Sequence, residues 1–243
     1  MTRTALVTGA SSGIGEATVR RLAADGWTVH ALARRADRLE RLAAETGATA
    51  HPADVTDTGL MEELVPWLEV DTLIANAGIG SGITGLAEAS AADVDATVTT
   101  NVAAVLQLVR LVLPGMRERG RGHLVLVGSV AGMYPNASAV YGASKAAIRM
   151  MGRNLRIELR GSGVRVSEIC PGRVATEFYD AAVPDAERRA LLKASGIREL
   201  APADVADAIA YALDAPAHVN VSTIELQPVE QSFGGVSFDP LEP

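Results

Sequence analysis

Short apolar runs and longer amphipathic stretches alternate along the whole chain. Short runs of aliphatic and β-branched residues are typical of strands that are buried on both faces of a parallel sheet. They predict strands over residues 4–7, 28–33, 49–52, 72–75, 123–127, 165–169 and 222–226. Apolar positions three and four residues apart predict helices between them, over residues 15–24, 37–45, 60–68, 91–119, 139–160 and 203–213.

This alternation determines the expected fold class. Strand–helix–strand units form parallel sheets with right-handed crossovers, and they place helices on both faces of the sheet. No internal repeat, low-complexity tract or linker divides the chain. The pattern therefore predicts one α/β domain over residues 1–243, a doubly wound Rossmann fold with a seven-stranded parallel sheet. Residues 177–200, rich in alanine and charge, predict a helical flap over the site.

Composition and charge narrow the function classes. Of the 243 residues, 48% are hydrophobic, and the net charge is −7. That acidic balance argues against a nucleic-acid-binding surface. Asn101, Gln107 and Arg110 interrupt the apolar stretch 98–116, so we do not expect it to span a membrane. The first residues run directly into a strand, without the shape of a signal peptide.

The single cysteine, Cys170, bears on the cellular compartment. One cysteine excludes an internal disulfide and is typical of a reducing cytosol, so we expect a cytoplasmic protein. Cys170 lies inside an apolar strand pattern, which favours a buried, unreactive thiol. We assign no metal ligands.

A glycine-rich turn follows the first strand. Gly9, Gly13 and Gly15 come directly after the apolar run 4–7, where the first helix is predicted to start. Glycines let a backbone turn sharply and approach a pyrophosphate, whose charge is stabilised at a helix N-terminus. The turn therefore predicts a dinucleotide-binding site. The alternative is a glycine-rich turn without a ligand.

The end of the second strand bears on the choice of cofactor. In NAD-binding sites an acidic residue there accepts hydrogen bonds from the ribose hydroxyls. This chain has Ala33 at that position, followed by Arg34 and Arg35. Guanidinium groups suit a 2′-phosphate, so we expect NADP rather than NAD. The alternative is that both arginines are a solvated helix start, since Asp37 and Arg38 follow them.

The stretch 124–145 carries the candidate catalytic residues. An apolar strand ends at Gly128-Ser129, and the next helix contains Tyr141 and Lys145, one turn apart on the same face. A hydroxyl, a phenol and an ammonium that converge are suited to proton transfer. Taken singly, Ser129 could cap the loop, Tyr141 could be a packing residue, and Lys145 could be a surface lysine.

Four motifs in order carry a resemblance to a known family. They are the glycine turn over residues 8–15, Asn76-Ala77-Gly78, the set Ser129, Tyr141 and Lys145, and Pro171-Gly172 followed by Val174 and Thr176. Over nearly the whole chain this set resembles the short-chain dehydrogenase/reductase family. The spacing G-x-x-x-G-x-G of the turn is the variant that this family uses.

The resemblance implies a role for each residue. Tyr141 would be the acid and base, Lys145 would favour the phenolate and hold the nicotinamide ribose, and Ser129 would hydrogen-bond the carbonyl oxygen. Asn101 would position a water that connects the lysine to solvent. The family usually has a second asparagine where this chain has Ala75. Cofactor contacts are implied at Gly9, Ser11, Ser12, Gly13, Ile14, Gly15, Arg34, Arg35, Asp54, Val55, Asn76, Ala77, Gly78, Tyr141, Lys145, Pro171, Gly172, Val174 and Thr176.

On the substrate side, the candidate pocket wall consists of the loop before Tyr141 and the flap. The loop residues are Met133, Tyr134 and Asn136, which join Ser129 and Tyr141. The tail over residues 217–229 resembles the 3-hydroxy-acid, serine-type branch of the family, whose members use NADP and act on small hydroxy acids or their semialdehydes. Arg173 could be a substrate contact or a solvated charge. Arg188, Arg189 and Arg198 could bind an anionic substrate if they turn inward, but exposed helix charges are favoured for all three.

The helices over 91–119 and 139–160 have more apolar positions than one buried face needs, among them Val102, Val105, Leu106, Val109 and Leu113. The resemblance implies that these helices pair in a homodimer or homotetramer, and the alternative is that they are core. We therefore predict an NADP(H)-dependent oxidoreductase that interconverts a small-molecule carbonyl and an alcohol, with no nucleic-acid or membrane partner. An NAD(H)-linked enzyme of the same fold and a non-catalytic nucleotide-sensing or scaffold protein are the alternatives.

Overall fold

A seven-stranded parallel sheet forms the centre of the part of the chain that is described. A computed structural model describes residues 3–183 and 185–231, so Met1, Thr2, Pro184 of the predicted flap and residues 232–243 of the predicted domain lie outside it. The strand order is β3-β2-β1-β4-β5-β6-β7, and all pairs are parallel. The strands are β1 (Thr4–Thr8), β2 (Thr28–Ala33), β3 (Thr49–Pro52), β4 (Thr72–Ala75), β5 (Gly122–Val127), β6 (Val164–Pro171) and β7 (Thr223–Leu226).

Helices cover both faces of this sheet. Apolar side chains of α1, α2 and α9 pack with one face, and those of α3, α5 and α6 pack with the other. The helices are α1 (Gly13–Ala24), α2 (Ala36–Thr46), α3 (Thr58–Leu64), α4 (Ala91–Val98), α5 (Ala104–Glu118), α6 (Ala139–Glu158), α7 (Phe178–Ala182), α8 (Ala186–Lys193) and α9 (Pro202–Asp214). The predicted doubly wound α/β fold is confirmed.

The strand order also locates the site. The order reverses between β1 and β4, which are neighbours in the sheet although two strands separate them in sequence. In open parallel sheets a ligand binds in the crevice outside the carboxyl ends of the strands at such a point. The glycine turn follows β1 and the segment from Asn76 follows β4, so both lie at this crevice.

Two predicted helices differ in detail from the observed ones. The stretch 60–68 divides into α3 and a 3₁₀ turn (Val65–Leu68), because Pro66 has no N–H to continue the α-helical pattern. The stretch 91–119 contains a π-helical turn (Thr99–Ala103) between α4 and α5. A π turn inserts an extra residue into a helix and is frequent at functional sites. The other elements differ from prediction only at their ends.

By length and composition alone, the continuous helical stretch Ala91–Glu118 could cross a membrane. This is a weak indication, since core helices pass the same test. In this fold Leu108, Val109 and Met116 of α5 are buried against the sheet. Other apolar residues of the stretch stay exposed, with Val98 and Leu106 exposed by 47% and 49%.

Candidate active site

The glycine turn brings the backbone of β1 and α1 close together. Gly9 and Gly13 have φ values of +67° and +54°, a region that favours glycine. A side chain on Gly15 would place its Cβ 2.3 Å from the Gly9 carbonyl oxygen. The turn is thus folded tightly at the N-terminus of α1, where backbone N–H groups and the helix dipole favour an anion.

Thr8, the last residue of β1, connects this turn to the segment after β4. Its hydroxyl accepts hydrogen bonds from the backbone N–H groups of Asn76 and Ala77, both at 3.0 Å. The Asn76 side-chain amide donates to the Thr8 carbonyl oxygen at 2.8 Å. Ala75, where the family usually has asparagine, is buried in β4. Thr8 and Asn76 therefore supply the local hydrogen bonds, and Ala75 contributes only packing.

Three arginines lie beside the turn and form what we call the arginine cluster: Arg34, Arg35 and Arg38. Arg35 donates from Nε to the Ser11 hydroxyl at 3.0 Å and from Nη2 to the Ser12 hydroxyl at 2.6 Å. Arg34 is held less closely than Arg35. Its side chain is 72% exposed, and its Nη1 lies 3.8 Å from Asp54 Oδ2. Guanidinium groups at this edge make it an anion-binding surface.

The carboxylate of Glu177 faces two of these arginines. It accepts a hydrogen bond from Arg38 Nη1 at 2.8 Å and one from Arg35 Nη1 at 2.9 Å. Arg38 first, and then Arg35, hold the pKa of the Glu177 carboxyl below its ordinary value. Glu177 is the residue that immediately precedes α7, so these ion pairs tie the start of the flap to the arginine cluster.

The candidate catalytic residues Ser129, Tyr141 and Lys145 line one cavity, and we call them the catalytic cluster. Helix α6 begins at Ala139 because the Ser138 hydroxyl caps it, accepting from the Tyr141 backbone N–H at 3.3 Å. Tyr141 and Lys145 then lie one turn apart, with the lysine Nζ 5.8 Å from the tyrosine ring centroid. A Cβ on Gly132 would lie 2.5 Å from the Lys145 carbonyl carbon, so the loop after β5 packs tightly on the helix.

Burial raises the pKa of Tyr141 and lowers the pKa of Lys145. Desolvation raises the pKa of the Tyr141 phenol to about 12, and a hydrogen bond with Ser129 opposes part of that rise. Desolvation lowers the pKa of the Lys145 ammonium to about 8. Lys145 is only 6% exposed, and its Nζ donates to the Val127 carbonyl oxygen at 2.9 Å. Both shifts favour the neutral forms, as expected for ionisable groups removed from water.

Asn101 lies behind the catalytic cluster and is 1% exposed. In the π turn, its Oδ1 accepts from the Ile79 backbone N–H at 2.8 Å. Its Nδ2 donates to the Ile79 carbonyl oxygen at 2.9 Å and to the Ser144 hydroxyl at 3.0 Å. This side chain therefore joins the segment after β4 to helix α6. Its expected role in positioning a water stays a prediction.

Most of the predicted residues share one cavity of about 600 Å³. Its wall includes the catalytic cluster and most of the predicted cofactor and substrate contacts. These contacts are Ser11, Ser12, Ile14, Arg34, Arg35, Asp54, Val55, residues 76–78, Tyr134, Asn136, residues 171–174 and Thr176. Met133, Gly15 and Asn101 do not line this cavity. Met133 ends the 3₁₀ turn Val130–Gly132 and lies next to the wall without forming it. Gly15 contributes the close packing of the turn, and Asn101 contributes support from behind.

The flap covers the catalytic end of this cavity. The Phe178 ring lies 5.2 Å from the Tyr141 ring, centroid to centroid. Arg173, for which the sequence left two interpretations open, is neither solvated nor free for substrate. Its Nε lies 2.6 Å from Glu199 Oε1, its Nη1 donates to the Tyr179 hydroxyl at 3.1 Å, and its side chain is 9% exposed. Arg173 therefore anchors the flap.

The other flap arginines are held at the surface. Arg188 donates to Glu88 at 2.6 Å and to the Thr84 carbonyl oxygen at 3.0 Å, which ties α8 to the opposite rim of the cavity. Arg189 donates to the Val183 carbonyl oxygen. Only the backbone N–H of Arg198 has a described bond, to Glu230. Arg189 is on α8 but only 29% exposed, and Arg198 is exposed but lies between α8 and α9, so neither is an exposed helix charge. Arg188 on α8 also reaches the cavity wall.

Cys170 lies on β6 with an exposed fraction of 0%. Burial and the nearby Glu168 carboxylate raise the pKa of its thiol. A thiol that does not ionise is a poor nucleophile, so the expectation of an unreactive cysteine agrees with its environment.

Comparison with known proteins decides the family. Residues 3–187 match the model that describes the short chain dehydrogenase family. The chain belongs to the short-chain dehydrogenase family.

This short-chain dehydrogenase has close relatives over its whole length. It is 39% identical over 241 residues to the NADP-dependent 3-hydroxy acid dehydrogenase YdfG of Salmonella typhi, covering 96% of this chain and 97% of the relative. It is 36% identical over 243 residues to the serine 3-dehydrogenase of Agrobacterium fabrum, covering 97% of both. A solved structure of the closed form of serine dehydrogenase complexed with NADP⁺ has a TM-score of 0.90, with 38% identity over 96% of this chain and 97% of that one. The resemblance of the tail to the serine-type branch agrees with these relatives.

Sequence reasoning missed several residues of this short-chain dehydrogenase's site. Thr8 was included only as the start of the motif, although a hydroxyl at the end of β1 was a usable signal. Arg38 lies three residues after Arg35, a spacing that places both on one face of a helix start. Glu177 and Phe178 had no local signal, because their contacts depend on where the flap packs.

Proposed function

We propose that this short-chain dehydrogenase is an NADP(H)-dependent oxidoreductase that interconverts a carbonyl group and an alcohol. One observation carries the proposal. The catalytic cluster and the glycine turn, with Arg35 beside it, line a single continuous cavity. A dinucleotide that spans this cavity would have one end at the arginines and the other at Tyr141.

The described residues fit NADP(H). Gly9 and Gly13 line the cavity at the N-terminus of α1, where the charge of a pyrophosphate would be stabilised. The residue at the end of β2 is Ala33, which is buried and has no carboxylate to accept hydrogen bonds from ribose hydroxyls. Arg35, oriented by Ser11 and Ser12, would hold the 2′-phosphate, with Arg34 beside it. The relative YdfG is named as NADP-dependent, and the similar serine dehydrogenase structure is a complex with NADP⁺. Both support NADP over NAD.

The catalytic cluster would handle the proton. When NADPH is bound it supplies the hydride to the carbonyl carbon. In that direction Tyr141 donates its phenolic proton to the carbonyl oxygen, so that the alcohol forms and a phenolate remains. The adjacent Lys145 ammonium stabilises the phenolate, and the Ser129 hydroxyl donates a hydrogen bond to the oxygen as negative charge develops there. The oxidative direction reverses these proton movements.

We propose small 3-hydroxy acids and the corresponding 3-oxo acids as the substrate class. The support is the similarity over 96% of the chain to a relative named as a 3-hydroxy acid dehydrogenase, together with the similar tail. Phe178 and Tyr179 of the flap line the same cavity as Tyr141, and two aromatic side chains in its wall favour a compact substrate. Among the described residues of the cavity wall, Arg188 on α8 is a cation on the flap side that a carboxylate could approach.

A carbonyl panel tests the function. Loss of reduced-nicotinamide absorbance is followed with NADPH and NADH in parallel, on small aldehydes, 3-oxo acids and bulky cyclic ketones. We expect turnover with NADPH, highest on the 3-oxo acids. Tight NADPH binding without turnover on any member would instead favour a nucleotide-sensing protein.

We also propose a homodimer or homotetramer. Several residues of the predicted pairing surface are core, since Val105 and Val109 are buried. Others stay exposed: Leu106 on α5 by 49%, and Met150 and Ile157 on α6 by 53% and 66%. Sedimentation at micromolar concentration should give at least twice the mass of the chain. A monomer would contradict the pairing of these helices.

A further inference from the structure

The Glu177 carboxylate lies between two guanidinium groups of the arginine cluster, those of Arg35 and Arg38. Its two carboxylate oxygens lie 2.8 and 2.9 Å from Arg38 Nη1, and one of them lies 2.9 Å from Arg35 Nη1. Two guanidinium groups from the start of α2 therefore converge on one carboxylate, which comes from a different part of the chain. This is the arrangement in which arginines bind phosphate as well as carboxylate.

Arg35 is already oriented without Glu177. Its Nε and Nη2 are used by the hydroxyls of Ser11 and Ser12, so only Nη1 is directed to the acid. Arg38 has no such second anchor among its described hydrogen bonds, which all go to Glu177. Because the two serines belong to the glycine turn, the free side of Arg35 faces the same region in which the 2′-phosphate would bind.

We propose that Glu177 is an internal competitor for the 2′-phosphate of the cofactor, and that Arg38 is a further phosphate-binding residue beside Arg35. This inference rests on the proposed NADP(H) function. The phosphate would bind on the side of Arg35 that the two serines leave open, beside the Glu177 carboxylate, and two adjacent anions repel each other. Glu177 would therefore leave both arginines when the phosphate arrives.

Because the three side chains are exposed, replacing the Glu177 carboxylate by a phosphate costs little free energy. Arg35, Arg38 and Glu177 are 41%, 36% and 48% exposed. Ion pairs in contact with water are weak and are screened by salt. A phosphate with more charge than a carboxylate can displace such a partner, and the competition reduces the apparent affinity for the phosphate by a modest factor.

Displacement of Glu177 would also reach the catalytic cluster. The next residue, Phe178, packs on the Tyr141 ring, and a Cβ on Gly80 would lie 2.4 Å from the Phe178 ring. Glu177 thus holds the segment that covers the tyrosine. A 2′-phosphate would loosen this segment, whereas a nucleotide without that phosphate would leave the ion pairs intact.

Calorimetric titration with two nucleotide fragments tests the proposal. Adenosine 2′,5′-bisphosphate carries the 2′-phosphate, and 5′-AMP lacks it. We expect Glu177→Gln to tighten the bisphosphate by about three- to tenfold, consistent with the loss of one or two exposed ion pairs. We expect Arg38→Gln to weaken it by a similar factor. Binding of 5′-AMP should stay within about twofold in both variants. The matched control is Glu187→Gln, which removes an exposed acid from the same flap.

The outcomes separate this proposal from the proposed function. Unchanged or weaker bisphosphate binding in Glu177→Gln would overturn the competition, even if the wild type prefers the bisphosphate. A wild type that binds both fragments equally would count against NADP(H) as cofactor, while tightening in Glu177→Gln would still support the competition. Hydrogen exchange of α7 gives a second measurement on the wild type. The bisphosphate should speed it relative to 5′-AMP, and slower exchange would contradict the release of the flap.

Discussion

The two ends of the cavity are built in different ways. At the catalytic cluster, Lys145 is 6% exposed and its ammonium is fixed by a backbone carbonyl. At the arginine cluster, the side chains are between 36% and 72% exposed, and their partners are exposed carboxylates together with the Ser11 and Ser12 hydroxyls. Burial holds the first set in place, and charge attraction through water holds the second.

This difference has an energetic meaning. The lowering of the Lys145 pKa from 10.5 to about 8 corresponds to about 3 kcal/mol against its charged form. The packing of the surrounding core must offset this unfavourable free energy of desolvation. Each exposed ion pair of the arginine cluster contributes about 0.2–1 kcal/mol. In the proposed function, proton chemistry would therefore depend on residues that the core holds in place, whereas the choice between NADP and NAD would depend on surface charges that can change without disturbing the fold.

The largest effect at the arginine end of the cavity is expected from Ala33→Asp, next to the arginine cluster. A carboxylate at the end of β2 would accept hydrogen bonds from ribose hydroxyls and repel a 2′-phosphate. We expect the ratio of kcat/KM with NADPH to kcat/KM with NADH to fall by about 10- to 100-fold, a change of about 1.4–2.7 kcal/mol. Steady-state rates with both cofactors at one carbonyl concentration measure it.

Ala33→Asn is the matched control, because it adds similar volume without charge. It should shift the ratio much less than Ala33→Asp. Equal shifts in the two variants would mean that the bulk at this buried position, rather than its charge, affects the cofactor.

A second prediction concerns the buried lysine. The folded-state pKa of Lys145 lies below its ordinary value, so between pH 8 and 10.5 the unfolded chain binds more protons than the folded one. Stability therefore rises with pH through this window. From pH 7.5 to 9.5 the wild type should gain about 1–2 kcal/mol in free energy of unfolding relative to Lys145→Met. Urea unfolding at the two pH values measures this difference.

The control for this experiment is Lys193→Met, which removes an exposed lysine that pairs with Asp180. Its stability should follow the wild type between the two pH values. If Lys145→Met also follows the wild type, the ammonium is not desolvated as its burial indicates.

The smallest predicted effect is that of salt. Raising the salt concentration from about 50 to 500 mM shortens the Debye length from about 14 to 4 Å and screens exposed charges. We expect the preference for NADPH over NADH, as a ratio of KM values, to fall by about two- to fivefold. At saturating cofactor, kcat should change by less than about twofold. A larger fall in kcat than in cofactor preference would contradict the contrast between the two ends.

Much of this molecule could be predicted from the sequence, for reasons that particular residues make clear. Alternation of apolar runs with helical spacing determined the sheet, and the glycines of the turn after β1 were readable because their backbone requires them. The π turn around Asn101 was not predictable from helical spacing, since an inserted residue leaves the apolar pattern almost unchanged. Arg173 looked equally suited to substrate or solvent, and only the packed flap buries it.

Contacts between distant parts of the chain account for the rest. Arg35 and Glu177 are 142 residues apart in sequence, and nothing in either local pattern relates one to the other. Met133 illustrates the opposite error. It was predicted for the pocket wall together with Tyr134 and Asn136 because all three precede Tyr141 in sequence, but only Tyr134 and Asn136 line the cavity.

The most direct test of the central claim is one comparison on Tyr141→Phe, with rate and cofactor affinity measured on the same preparation. Removing the phenolic proton should lower NADPH-dependent turnover by about 10²- to 10⁴-fold, the range of general acid catalysis. The dissociation constant of NADPH, from fluorescence titration, should stay within several-fold. Tyr211→Phe, at a 69% exposed position on α9, should match the wild type in both measurements. Turnover retained in Tyr141→Phe would contradict Tyr141 as the acid, and an equal loss of NADPH binding would contradict the separation of chemistry from cofactor choice.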